Sequence, residues 1–346
     1  MAGNVTQIRS GEQVAYRLGG DRALSADQIA YRLGLTTDAR TVMWIGAGAT
    51  ARTLGVTSGE PVTGADVPKV RAIMEGVNPV TGEVLVAPKI EVAPAAKVAA
   101  VPAYDAIVLA AASQGKTPVQ LFTSARGKAD WGRLERAVKA KGDFHRVPAF
   151  RLATLGAVAG VDVSTAYPAP EWDAAMAAKD ERVTVGVKAY DVRLTLPKGA
   201  SLALVMDTSG HRAQRMDLWS QSARSAYEAL ADRVAYGVRG HHGNGATAQA
   251  VAGTGFVGTV TVEATSRAGD PHLHAHSMIA NLTICEDGTA RTIGAGGRDV
   301  MAHGDWTAEL AQLAYRTESA RLGLASWAWN PTIGKYDDAS IGTAAK

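Results

Sequence analysis

Three histidines occupy every second position of one short apolar stretch, and this spacing strongly limits how the stretch can fold. Residues 271–285 read PHLHAHSMIANLTIC and contain His272, His274 and His276. In a β-strand, side chains two residues apart lie on the same face, so a strand would align the three imidazoles. Apolar side chains occur on both faces of this stretch. The sequence therefore predicts a strand in the middle of a sheet.

Aligned imidazoles on an apolar strand need hydrogen-bond partners or a metal ion. Two interpretations stay open at this point. The histidines could be a row at the end of a sheet that backbone groups or water satisfy. Alternatively, a His-x-His pair could ligate a divalent metal.

Alternation also predicts strands beside the histidine stretch. VTVGVKAYDVRLTLP, from residue 183, places Asp191 on the face opposite Tyr190 and Val192. TGFVGTVTVEAT, from residue 254, places Glu263 opposite its apolar face. A short connection joins this second strand to the histidines, which predicts an antiparallel pair. Glu263 is then expected across from the histidine row.

The remaining segments predict helices around this sheet. Helical patterns occur in SGEQVAYRL, in HRAQRMDLWSQSARSAYEALADRVAYGVRG and in AELAQLAYRTESARLGL, whereas MWIGAGATARTLG is predicted to be a glycine-rich turn region. We therefore expect an α+β protein in which helices pack on a central antiparallel sheet.

Composition excludes several classes of protein. The 346 residues contain a single cysteine, which rules out an internal disulfide framework. The net charge of +3 is too small to indicate a nucleic-acid partner by itself. The first residues lack the apolar core of a secretory signal, and proline and charged residues interrupt the apolar run at 92–112. A cytoplasmic protein without membrane insertion is expected.

Two histidines and a carboxylate can hold a divalent cation and leave coordination positions open. A carboxylate on a neighbouring strand, such as Asp191, could orient or deprotonate a nucleophile. Hydrolases, oxygenases and phosphoryl-transfer enzymes all use such sets, and spacing alone does not choose among them.

Ordered blocks of the sequence resemble the MobF class of conjugative DNA relaxases, in the HUH endonuclease superfamily. TSRAGDPHLHAHSMIANLT is similar to that class's H-x-T-S-R…P-x-L-H-x-H motif. YDVRLTLPKGASLALVMD is similar to F-D-L-T-F-S-x-P-K-S-V-S, with Asp191, Pro197, Lys198 and Ser201 in register. WIGAGA with GVNPVTGE, and DGTARTI with AYRTESARLGL, are also similar to family text.

The resemblance implies an HUH relaxase-like, palm-type fold and site- and strand-specific nicking of DNA at a transfer origin. A tyrosine hydroxyl would attack a phosphodiester and become joined to the 5′ phosphate. The nucleophile would be Tyr16, with Tyr31 as the second tyrosine and Asp191 assisting the tyrosine or orienting a histidine. Implied partners are single-stranded DNA, accessory relaxosome proteins and a coupling protein. From its helical spacing alone, Tyr16 is interpreted as a core tyrosine, and only the resemblance favours the nucleophile.

The sequence departs from the family at the metal site. The family has three histidine ligands, and the first of them falls on Glu263 here, followed by Ala264. His274 and His276 are in place. A site of Glu263, His274 and His276 would favour Mg²⁺ or Mn²⁺. The alternative is that His272 fills the vacant role.

A segment at about 100–182 has no matching family text and is expected to be an atypical insert in one relaxase domain, 1–346. Its basic stretch, 126–151, mixes cations with aromatic residues, as single-stranded DNA-binding arms do. The expected DNA contacts are Arg126, Lys128, Trp131, Arg133, Arg136, Lys198 and Arg267. The alternative is a solvated helix face with its aromatic residues turned inward. No Walker motif occurs, so no helicase domain is expected.

Three functions follow from these patterns. The first is the nicking enzyme, and the second is a relaxase-like single-stranded DNA-binding module that no longer cleaves. The third is a metal oxygenase that uses Glu263, His274 and His276 as a facial triad. The oxygenase leaves Asp191 and the glycine-rich block unexplained.

Overall fold

The computed structural model describes residues 3–17, 42–240, 247–266 and 270–341. The chain divides into two compact units. We call Met1–Pro88 with Gly186–Lys346 the sheet unit, and Lys89–Val185 the helical unit. The helical unit contains the segment predicted as an insert and extends it at both ends.

The sheet unit combines strands and helices from both ends of the chain. Its strands are β1 (Gly3–Ile8), β2 (Val42–Gly46), β7 (Ala189–Thr195), β8 (Tyr236–Arg239), β9 (Gln249–Ala252), β10 (Val257–Thr265), β11 (Pro271–Ala280), β12 (Thr283–Ile284), β13 (Ala290–Arg291), β14 (Trp327–Asn330) and β15 (Lys335–Asp338). Its helices are α1 (Gly11–Arg17), α2 (Gly48–Thr53), α3 (Val67–Met74), α8 (Lys198–Val205), α9 (Arg212–Val234), α10 (Arg298–Ala302) and α11 (Gly304–Arg321).

Within the described residues, a five-stranded sheet has the order β1-β7-β11-β10-β2, and every neighbouring pair is antiparallel. The histidine strand β11 is its central strand, as its two apolar faces predict. The predicted pairing of β10 with β11 is also confirmed, and the register joins Glu263 to His274.

One face of this sheet forms the largest apolar core. The side chains of Val192 and Leu194 on β7, Val260 on β10 and Ala275 on β11 all point to this face and are fully buried. Helices α9 and α11 cover it, with Trp219 and Tyr315 packed edge to face at 5.9 Å. The alternation predicted for β7 and β10 is thereby confirmed.

The opposite face, which carries the histidines, has a second core at one end. Met278 and Ala280 of β11 pack there with Trp44 of β2 and with apolar side chains of α2 and α3. Val14 of α1 is buried in the same cluster, so α1 lies on the histidine side of the sheet. Apolar packing covers this end of the face, which leaves the histidine end for polar chemistry.

The glycine-rich segment MWIGAGATARTLG forms most of strand β2 and the whole of helix α2. The prediction that this segment is a turn region is therefore wrong. Only Ala47 separates β2 from α2. Gly48 has φ +67, and a Cβ there would lie 1.8 Å from the Thr254 oxygen. Glycine is needed because the strand-to-helix junction passes against another backbone segment. The glycines therefore mark a junction between elements.

The helical unit has its own core. It contains β3 (Lys89–Val92), β4 (Lys97–Ala99), β5 (Arg146–Pro148), β6 (Arg182–Val185), α4 (Val101–Ser113), α5 (Ala125–Lys141), α6 (Ala149–Ala159) and α7 (Ala169–Ala177). Strands β3 and β6 pair with each other at its two chain ends, and its helices agree with the mainly helical expectation for this segment. Among the described residues, no helix has the length and apolarity needed to cross a membrane.

Gly258 tests the packing of the central strands. A Cβ at this position of β10 would lie 2.1 Å from the Met278 oxygen of β11, so the backbones must separate. We expect Gly258→Ala to lower the free energy of unfolding by about 1–3 kcal/mol. Urea denaturation followed by circular dichroism measures this. Gly64→Ala, where nothing lies within 4 Å of the added Cβ, is the control and should change stability by less than about 0.5 kcal/mol. Equal stability of the two variants would contradict the packing.

Candidate active site

The three histidines form a continuous row on one face of β11. The ring centroids of His272 and His274 are 4.9 Å apart, and those of His274 and His276 are 5.1 Å apart. The alternation of the strand produces this spacing, as the sequence predicts. His274 is buried, and the other two imidazoles are partly exposed.

Glu263 lies across the ladder from His274. Its Oε2 is 3.6 Å from His274 Nε2, and both side chains are largely buried. His274 Nδ1 is 2.7 Å from the His272 carbonyl oxygen. Because a carbonyl oxygen can only accept, Nδ1 carries the proton and Nε2 faces the carboxylate with its lone pair. Burial lowers the pKa of His274 to about 4, so this imidazole is neutral near pH 7.

Asp191 holds the second imidazole. Its Oδ1 is 2.9 Å from His276 Nδ1, and only 2% of Asp191 is exposed. The His276 Nδ1–H donates to the carboxylate, which fixes the orientation of the ring. The other ring nitrogen, Nε2, is then the one that can act as a metal ligand. A carboxylate that orients an imidazole through Nδ1 is the arrangement found behind metal-binding histidines. This geometry supports the orienting role for Asp191.

The side chains Glu263, His274 and His276 fit a divalent ion in donor type. Both histidines are held through Nδ1, which directs Nε2 atoms away from the strand backbone. Three assembled ligands are not seen: the described part of the chain has no group of three or more His, Cys, Asp or Glu side chains positioned to hold a metal. The three side chains therefore have suitable donor atoms, but only those of Glu263 and His274 already lie close to each other.

Cationic side chains lie beside the row. Lys198 is exposed and donates from Nζ to the Pro271 carbonyl oxygen at 2.8 Å. Arg193 pairs in register with His276 and is exposed. Burial, together with the charges of Arg193 and Lys198, lowers the pKa of His272. Sequence reasoning missed Arg193, although its alternation with Asp191 predicted the shared face. The predicted contact Arg267 lies outside the described residues.

Tyr16 belongs to α1, the helix that packs on the histidine side of the sheet through Val14. The alternative tyrosine, Tyr31, lies outside the described residues. The helix containing Tyr16 thus lies on the same side of the sheet as Glu263 and the histidines.

A family model for the TrwC relaxase matches residues 26–341 of the chain. The chain belongs to the TrwC relaxase family. It is accordingly an enzyme of the DNA relaxase class, and the oxygenase interpretation is wrong. A comparison with curated protein sequences finds no match.

Solved relaxase structures share the fold. A metal-bound structure of the conjugative relaxase TrwC in complex with oriT DNA is 15% identical, with a TM-score of 0.51, and the alignment covers 97% of this chain and 75% of that chain. A copper-bound structure of TrwC with oriT DNA is 16% identical, with a TM-score of 0.50 over 97% and 75% of the two chains. The α+β, HUH relaxase-like fold is thereby confirmed.

The basic helix α5 has a charged surface and an apolar inner face. The predicted DNA contacts Arg126, Lys128, Arg133 and Arg136 are exposed. Trp131 is 2% exposed and stacks on Tyr104 at 5.1 Å and Phe122 at 5.8 Å. The prediction that Trp131 stacks on DNA bases is wrong, because this side chain fills the core of the helical unit.

Substitution at Trp131 distinguishes a core residue from a DNA contact. We expect Trp131→Ala to destabilise the helical unit by about 3–5 kcal/mol, because it leaves a cavity. Denaturant unfolding monitored by circular dichroism measures the loss. Phe144→Ala removes an aromatic ring that is 94% exposed and should leave stability within about 0.5 kcal/mol. A Trp131→Ala protein as stable as the parent would restore the base-stacking interpretation.

Proposed function

We propose that this relaxase nicks one DNA strand at a transfer origin by tyrosine transesterification, and that the reaction depends on a divalent metal. The observation that carries the proposal is the histidine row, in which Asp191 and a backbone carbonyl hold His276 and His274 through Nδ1. TrwC structures that contain oriT DNA have the same fold, and two of them are metal-bound.

Glu263, His274 and His276 would hold the metal ion. When bound, a divalent cation would polarise the scissile phosphate and offset the negative charge that develops on it. Asp191 keeps the His276 ring oriented, and burial keeps His274 neutral, which is the form that binds metals. A carboxylate in the ligand set favours the harder ions Mg²⁺ and Mn²⁺.

Tyr16 is the proposed nucleophile, with Tyr31 as the second tyrosine. The Tyr16 oxygen forms a bond to phosphorus and loses its proton, while the bond from phosphorus to the 3′ oxygen breaks. The departing 3′ oxygen takes up a proton and becomes a hydroxyl. The DNA remains joined to the protein through its 5′ phosphate, which preserves the energy of the phosphodiester for later rejoining.

The DNA partner is proposed to be single-stranded. Lys198 lies at the end of the histidine row, and Arg267 follows β10 in the sequence. The exposed cations of α5 would contact the phosphates of the DNA backbone electrostatically; they are Arg126, Lys128, Arg133 and Arg136. Helix α5 has no exposed aromatic ring that could stack on a base. Accessory relaxosome proteins and a coupling protein are the proposed protein partners.

A second candidate is a relaxase-like module that binds single-stranded DNA without cutting it. The favouring observation is that the described residues contain no assembled group of three metal-binding side chains. A nicking assay separates the two candidates. It uses labelled single-stranded oligonucleotides that tile the replicon carrying the gene, with Mn²⁺ or with EDTA, on a denaturing gel.

The nucleophile can be identified by the covalent adduct. Tyr16→Phe keeps the ring and deletes the attacking oxygen, so we expect the adduct band to disappear. Tyr31→Phe is the matched control and should retain the first cleavage. Peptide mapping of the wild-type adduct gives an independent assignment. An adduct on Tyr31 would reverse the order of the two tyrosines.

Metal affinity tests Glu263 as a ligand. We expect Glu263→Ala to weaken Mn²⁺ binding roughly 10-fold or more, while Glu263→His restores a three-histidine set and broadens metal use. His274→Ala and His276→Ala should abolish both metal binding and nicking. Isothermal titration calorimetry measures each affinity. Glu286→Ala, which removes an exposed carboxylate off the central sheet, is the control. Unchanged affinity in Glu263→Ala would transfer the ligand role to His272 or water.

A further inference from the structure

Arg193 occupies the position of β7 directly beside the histidine row. It pairs in register with His276 and alternates with Asp191, so all three side chains share one face. Asp191 is buried, whereas Arg193 is exposed. The guanidinium therefore lies at the solvent edge of the face on which Glu263 and His274 meet.

The charges on this face would oppose the approach of DNA. Glu263 and Asp191 contribute two carboxylates beside the imidazoles. A phosphodiester that reaches the histidines is repelled by these two carboxylates, and solvent screens this repulsion poorly in a partly buried site. Arg193 supplies a positive charge on the same face, and no side-chain hydrogen bond or ion pair within the described ranges engages its guanidinium. A cation in this position is suited to an anion brought in by the substrate.

We infer that Arg193 binds a DNA phosphate at the histidine row and places it beside the site of Glu263, His274 and His276. The inference rests on the proposed nicking function. A planar guanidinium offers paired N–H donors that match two phosphate oxygens, which an ammonium group does not. Arg193 is thus a positioning residue for the backbone of the bound strand.

Arg193 and Glu263 carry opposite charges on one face of the sheet. Arg193 pairs with His276 from β7, and Glu263 pairs with His274 from β10, so both side chains lie on the face of the histidine row. Glu263 adds a negative charge to this face, and Arg193 adds a positive charge. We expect substitutions of the two residues to be energetically coupled, because the arginine offsets the repulsion that the carboxylate adds.

The first test measures DNA binding and needs no cleavage. The probe is the fluorescent tile from the oligonucleotide set that binds wild type most tightly, titrated at several NaCl concentrations in EDTA. We expect Arg193→Thr to weaken binding about 10-fold and to reduce the slope of log Kd against log salt by about 0.7, the value for one phosphate contact on a single strand. Arg193→Lys should keep the slope and recover part of the affinity. Arg321→Thr, which removes an exposed arginine of α11, is the matched control.

The second test locates the phosphate. Neutral methylphosphonate linkages are placed one at a time along the probe. At the contacted position the neutral linkage should weaken binding to wild type and leave binding to Arg193→Thr unchanged. The coupling test repeats the titration in Glu263→Gln, where the effect of Arg193→Thr should shrink several-fold.

The outcomes separate this inference from the proposed function. The role of Arg193 is overturned if Arg193→Thr leaves the salt slope unchanged. It is also overturned if every methylphosphonate linkage weakens DNA binding equally in wild type and in Arg193→Thr. Absence of any cleaved tile, together with the expected dependence on Arg193, refutes nicking and leaves the phosphate contact in place. A drop in affinity that Arg321→Thr reproduces would mean that only net charge matters, which also overturns the inference.

Discussion

The register of β11 between β7 and β10 determines the composition of the site. His274 is paired with Glu263 on one side, and His276 is paired with Arg193 on the other. Because side chains alternate between faces, a slip of one residue would turn every histidine into the apolar core under α9 and α11. The strand has apolar side chains on both faces, so a slipped register would bury the imidazoles and move Leu273 and Ile279, which are fully buried, out of that core. Hydrophobic burial thus fixes the positions of the polar groups.

Burying two carboxylates beside this row is costly, and a hydrogen bond offsets the cost at one of them. Asp191 accepts this bond from His276, whereas Glu263 lies 3.6 Å from the neutral His274. Well-packed apolar side chains in the same places would give a more stable sheet, since replacing a buried polar pair by apolar residues is often stabilising. Such groups are retained where chemistry needs them, and the family assignment supplies that chemistry.

The sequence predicted the site best where a single periodicity controls the structure. Alternation in β7, β10 and β11 placed Asp191, Glu263 and the histidines on one face, and the antiparallel connection of β10 to β11 set their register. The prediction of Trp131 as a DNA contact is wrong, and the alternative of a solvated helix face with its aromatic residue turned inward describes α5. Trp131 and Leu134 are three residues apart and both buried, whereas the neighbouring cations point outward. Short strand-to-helix junctions such as β2 to α2 depend on contacts with distant backbone, which local sequence does not reveal.

The positions of the site side chains depend on packing against the opposite face of the sheet. Tyr227 of α9 is fully buried and donates its hydroxyl to the Val192 carbonyl oxygen at 2.8 Å. Burial raises the pKa of Tyr227 well above its usual value, so the hydroxyl stays protonated and remains a donor. Val192 is the residue next to Asp191, and this bond ties β7 to the longest helix that covers the sheet. A hydrogen bond such as Asp191 to His276 holds its geometry only when the strands cannot shift by a few tenths of an ångström. The apolar face and its buried tyrosine therefore hold in place the polar face on which the chemistry occurs.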